Sequence, residues 1–150
     1  MSNENLGRLT CSSKSGSEAF RAGGTDLSFK LIDFWQWSSS DLVSNTMRGV
    51  LAEFLVAKAL GLDCGRLEWE KCDLVTAEGL KIQVKSSAYL QSWAQTAPSK
   101  IQFVVSKRRA WDPDTNKLDG EPARHADVYV FALLAHQDKS SLDPLDLDQW

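Results

Sequence analysis

The chain has 150 residues, 43% hydrophobic and 25% charged, with a net charge of −3 at pH 7. This length and balance describe one soluble α/β-sized domain with a core that needs no disulfides, and they exclude a disordered chain or a membrane protein, since no stretch approaches the roughly 18 continuous apolar residues of a span. The acidic balance also excludes capture of nucleic acid by a global positive field, so any such binding requires a local basic patch.

In chain order, residues 1–24 are polar, rich in Ser and Gly, and end in Gly23-Gly24. They read as a flexible N-terminal arm, with no apolar h-region of a secretory signal, ahead of a single domain over 25–150; a cytoplasmic location follows. Cys11, Cys64 and Cys72 have no CxxC spacing and no nearby histidine, so they read as free thiols. The run LSFKLIDFWQW from Leu27 to Trp37 is strongly apolar and aromatic. After SSS, Asp41 is an N-cap candidate for a helix reaching about Leu60, where Gly61 stops it. Within that helix, residues 50–60 hold nine apolar residues and only two charges, Glu53 and Lys58. Such a helix is buried on most faces, expected to pack through Val50, Phe54 and Ala57. Glu53 has Gly49 and Ala57 at i−4 and i+4, so its charge has no partner within the helix.

Short β-like stretches follow at about 65–70, 73–76, 80–86, 101–106 and 126–134, a set that predicts a mixed sheet with Val130 and Leu133 in its core strand. TAEG at 76–79 joins two of them, so Asp73 to Ser86 reads as a hairpin. Residues 88–95 are expected to form a short helix. Residues 110–123, with two prolines and many polar side chains, are expected to be an exposed loop. The acidic end SSLDPLDLDQW reads either as a mobile tail or as the lead into a further strand cut at Trp150.

Strand alternation in LKIQVKSS puts Gln83 and Lys85 on one face, about 7 Å apart, with Leu80, Ile82 and Val84 on the other. Taken singly, these residues have ordinary explanations: Glu53 on a wet strip or paired with a distant Lys or Arg, Gln83 and Lys85 on the solvated face of an amphipathic strand. Taken together they form an order, helix Glu53, then Asp73, nine residues, then Gln83-Val84-Lys85.

That order resembles the PD-(D/E)xK nuclease superfamily, over about residues 41–135, with Gln83 where the family usually has Asp or Glu. The resemblance implies a restriction-endonuclease-like α/β fold, a central mixed sheet flanked by helices. It implies a metal-dependent endonuclease that hydrolyses phosphodiester bonds of DNA with Mg²⁺, Mn²⁺ being a substitute. Asp73 would be the central metal ligand, joined by Glu53, the Gln83 amide oxygen and the Val84 carbonyl, with Lys85 acting on the attacking water or on transition-state charge. Ser86, Ser87, Lys107, Arg108 and Arg109 are the candidates for phosphate contact, with Lys100 and Arg124 beside them and Tyr89, Trp93 and Trp111 as candidates for stacking. His125 and His136 lack ligand spacing and read as structural or exposed. Two alternatives stay open: a catalytically inactive relative that binds nucleic acid or a protein, and a structural interaction module whose polar strand is accidental; within the nuclease reading a homodimer that cuts both strands is also open.

Overall fold

The computed structural model describes residues 7, 9–63, 65, 66 and 70–150. Among them are two α-helices and three small sheets, a mixed α/β arrangement. The elements are β1 (Ala19–Ala22), β2 (Thr25–Lys30), α1 (Leu31–Ser39), α2 (Asn45–Ala59), β3 (Leu74–Val75), β4 (Lys81–Ala88), β5 (Arg108–Asp112), β6 (Lys117–Ala123) and β7 (Val128–Leu134). None of the described helices is long and apolar enough to cross a membrane.

The N-terminal segment is not a plain arm. Gly23 and Gly24 both take positive φ, 56° and 81°, and Ala22 pairs with Thr25 across them. A two-residue loop of this kind fits the right-handed twist of its strands, so the glycines close a hairpin. The aromatic run continues it as β2 and α1, whose first turn is held where Asp33 Oδ2 accepts from Lys30 N at 2.6 Å. Residues 1–6 and 8 of the expected arm lie outside the described residues.

Helix α2 starts one turn later than expected. Ser44, not Asp41, is its N-cap, the Ser44 hydroxyl accepting from Met47 N; Asp41 instead supports the lead-in, its carboxylate accepting from Ser44 N at 3.1 Å. At the other end Gly61, at φ 67°, donates to Lys58 O while Leu62 donates to Ala57 O, the paired bonds of a Schellman stop. The helix meets the sheet through Ala52 and Ala57, 0% and 6% exposed, together with Val56. These small side chains let α2 lie close to β4. Phe54, expected in that contact, faces outward under the Lys58 ammonium, 5.6 Å from its ring.

The main sheet has the order β3-β4-β7, with β4 antiparallel to β3 and parallel to β7. The β3–β4 hairpin appears as expected, its TAEG turn closed by Gly79 N donating to Thr76 O and Thr76 N to Leu80 O. Alternation sends Ile82 and Val84 toward α2, where they form a core with Leu74, Ala52 and Ala57, flanked by Val130 and Ala132. Burying each larger aliphatic side chain there contributes about 1.5–3 kcal/mol. Leu134, fully buried, closes the end of β7, while Leu133 is half-buried and Leu80 lies outside the strand and is exposed.

Other expectations are corrected as well. Residues 110–123 belong to the β5–β6 hairpin: Asp112 Oδ1 accepts from Asp114 N and Thr115 N, Asn116 turns the chain at φ 58°, and Pro122 sits in a two-stranded sheet, where each strand has an open edge. Residues 88–95 form no helix, because β4 runs on to Ala88 and Gln91 and Gln95 tie the following chain to Ala88 O, Tyr89 O and Ser99 Oγ. Residues 101–106 form no strand; of 65–70, residues 65, 66 and 70 are irregular and 67–69 lie outside the described residues. The acidic end folds back, with Ala135 N donating to Gln149 O and the Trp150 ring packed on the core, its Nε1 donating to Pro144 O. Cys11 and Cys72 are free thiols, and Cys64 lies outside the described residues.

Candidate functional site

Strand β3 is only two residues long, so β4 loses its neighbour beyond Leu74. Asp73 takes over at that point. Its backbone N donates to Ile82 O at 3.0 Å, and its Oδ2 accepts from Val84 N at 2.7 Å and from Gln83 Nε2 at 2.5 Å. The carboxylate therefore stands in for the missing strand, and both bonds fall on one oxygen.

Glu53 approaches from α2. It lies beside the buried strip of Ala52 and Ala57, and its side chain is 16% exposed. Arg66, from the segment after α2, donates through Nε to Glu53 Oε2 at 2.8 Å. Burial pushes the Glu53 carboxyl above the usual carboxylate range, and the negative charge of Asp73 adds to this. The Arg66 hydrogen bond and the positive charges of Arg66 and Lys85 pull it back down. The folded chain thus binds the Glu53 proton more tightly than the unfolded chain. The stability this contributes is present below the ordinary Glu range and is lost as pH rises through the raised value. Urea unfolding across pH should therefore show Glu53→Gln gaining on the parent chain as pH rises from acid to neutral; parallel curves would contradict it.

Glu53, Asp73, Gln83, Val84 and Lys85 all line a single cleft of about 650 Å³. Its facing wall comes from the β5–β6 hairpin and the chain leading into it, including Arg108, Arg109 and Trp111, with Arg124 and His125 beyond β6. Arg109 lies along its own hairpin, donating to Gly120 O and Leu118 O. His125 Nε2 sits 2.7 Å from Arg108 O, fastening the start of β5, and the residue also lines the cleft. Among the described residues five cationic side chains, Lys71, Lys85, Arg108, Arg109 and Arg124, line the cleft against three carboxylates, Glu53, Glu70 and Asp73. The cleft is thus locally positive in a chain of net charge −3.

Several sequence candidates fall elsewhere. Ser86 follows Val84 onto the α2 side, and Ser87 shares the Gln83 face but stands beyond the cleft lining. Lys107, Lys100, Tyr89 and Trp93 do not line it either. His136 is held at the chain's far end, 2.8 Å from Ser141 Oγ. Sequence reasoning missed Tyr129, which β4–β7 pairing sets opposite Gln83, and Glu70 and Lys71, which precede Asp73. It also missed Arg66, for which the sequence carries no signal beyond the unpaired charge of Glu53.

Chemically the cleft offers, around Lys85, the carboxylates of Glu53 and Asp73, the Gln83 carboxamide oxygen and the Val84 carbonyl, with Glu70 a further carboxylate of its lining. Among the described residues no group of three or more His, Cys, Asp or Glu side chains is gathered to hold a metal. Comparison of the chain with protein-family models, with curated proteins and with solved structures returns no match.

Proposed function

We propose that this cleft hydrolyses phosphodiester bonds of DNA with a divalent cation, Mg²⁺ or in its place Mn²⁺, in the manner of the PD-(D/E)xK nucleases. The observation that carries the reading is the meeting of Glu53, Asp73, Gln83 and Lys85, drawn from a helix and a hairpin, in one cleft with positively charged walls. In this reading β3-β4-β7 with α2 on one face is the nucleus of a restriction-endonuclease-like core.

The donor set suits a hard cation, being all oxygen: Asp73 and Glu53 carboxylates, the Gln83 amide oxygen and the Val84 carbonyl. When bound, such a cation supplies charge neutralisation at a phosphate oxygen and acidifies a water. The remaining work belongs to the chain. Asp73, braced by Val84 N through Oδ2, offers Oδ1 in a fixed orientation. Lys85 holds a proton and a positive charge beside the reacting phosphate. Arg108 and Arg124 hold flanking phosphates on the facing wall.

A second reading, a nuclease-fold protein that binds nucleic acid without cutting it, also has an observation in its favour. Both carboxylates already accept protein donors, Glu53 from Arg66 and Asp73 from Gln83. Titration of Mn²⁺ into the protein, followed by calorimetry, separates the two. The hydrolytic reading expects saturable binding that Gln83→Glu tightens, about ten-fold, by replacing an amide ligand with a carboxylate. No binding by either protein would leave only the second reading.

A further inference from the structure

On the hydrolytic reading of the cleft rests a narrower one about its substrate. We infer that the cleft takes a single, unpaired nucleic-acid strand, with Trp111 as the platform on which a base stacks.

Three observations support this. First, among the described residues five cationic side chains, Lys71, Lys85, Arg108, Arg109 and Arg124, line one cleft of about 650 Å³, while the chain as a whole is acidic. A duplex presents two phosphate tracks on a broad cylinder and is held by cations spread over an open face. Cations gathered around one cleft of this size follow the phosphates of one strand. Second, aromatic rings line the same groove: Trp111 and His125 on the hairpin side and Tyr129 on the sheet. Cations alternating with rings are the makings of a single-strand channel, since every base has a π-face but a paired base hides it. Third, the rings continue along the sheet. Tyr129 and Phe131 pair with Gln83 and Lys85, so both lie on the site's face of β7, about 7 Å apart at the rise of a strand. Phe131 is half exposed and rests against Phe103, ring centroids 4.8 Å apart. That spacing matches successive bases of an extended strand, and the two rings run from beside Gln83 to beside Lys85.

Trp111 is the residue to test because it stands on the facing wall. A base between Trp111 and the sheet would bring its own phosphate down to Asp73 and Lys85. Its partner across the hairpin is Leu118, which is exposed, and Trp111 itself is half-buried.

The test is fluorescence anisotropy with the full chain in EDTA, so that binding is read without turnover. The probes are labelled oligothymidylate, oligouridylate and a blunt DNA duplex of equal length. The thymidylate should bind about ten-fold or more tightly than the duplex, and Trp111→Ala should weaken it about ten-fold while Trp111→Phe, which keeps a ring, stays within about three-fold. The uridylate arm decides between the sugars: equal affinity means the strand is read through bases and phosphates alone. Duplex bound as tightly as single strand, or Trp111→Ala binding the single strand unchanged, overturns the inference, as does Trp111→Phe falling as far as Trp111→Ala. The two readings fail separately. Single-strand binding without cleavage in Mg²⁺ or Mn²⁺ sinks hydrolysis and keeps the single-strand cleft, whereas duplex cleavage undiminished in Trp111→Ala sinks the single-strand cleft alone.

Discussion

Asp73→Asn should lower divalent-dependent cleavage by about a thousandfold or more, a loss of roughly 4 kcal/mol of transition-state stabilisation. Asparagine is the informative replacement because Asp73 has two jobs. Its Oδ2 satisfies Val84 N and Gln83 Nε2, and its charge is the one that would hold a cation at the end of β3. An asparagine carbonyl can keep the Val84 bond while removing the charge. Asp73→Ala removes both, leaving Val84 N–H in a part-buried strand without its acceptor, and should cost about 1–3 kcal/mol of stability as well as the activity. Asn and Ala should therefore match in cleavage and differ in unfolding midpoint. If Asn retains activity, Asp73 is a structural brace for β4 and nothing more.

The second large effect is at Lys85. Removing its ammonium should reduce the cleavage rate about 10²- to 10⁴-fold, the usual worth of a positioned proton carrier or charge, while leaving Mn²⁺ affinity within a few-fold. The positive charge of Lys85 pulls the Glu53 carboxyl down against the rise caused by burial, so Lys85→Ala should also move the Glu53 titration to higher pH. Lys85→Arg separates the two roles left open for the residue. Arginine keeps the charge but cannot give up its proton near neutrality, so recovery with Arg assigns charge stabilisation and failure assigns proton transfer. Unchanged cleavage in Lys85→Ala would remove Lys85 from the mechanism.

The site was more legible in the sequence than the fold around it. The alternation of LKIQVKSS fixes which face each side chain takes, and Asp73 is bound to its place by the short turn at TAEG, so local patterns carried Gln83, Lys85 and Asp73 to one location. Glu53 was visible as the only acidic residue in an apolar helix turn, with its partner hidden because Arg66 comes from a segment with no periodicity. The facing wall was half hidden for a different reason. Pro113 and Pro122 are loop signals in isolation, yet one stands in a turn and the other on an open strand edge, where a missing N–H costs little. Gly23-Gly24 misled in the same way, since two glycines serve a tight hairpin as well as a flexible arm. Tyr129 could not be assigned before the parallel pairing of β4 with β7 was known, because register across a long crossover is not written in either strand.

The most direct measurement is cleavage of end-labelled single-stranded, duplex and branched DNA by the full chain, with Mg²⁺, with Mn²⁺ and with EDTA, beside Asp73→Asn prepared in the same way. The account predicts products in at least one divalent cation, none in EDTA and none from Asp73→Asn. Cleavage that persists in EDTA or in Asp73→Asn, or no cleavage of any substrate with either cation, would contradict it.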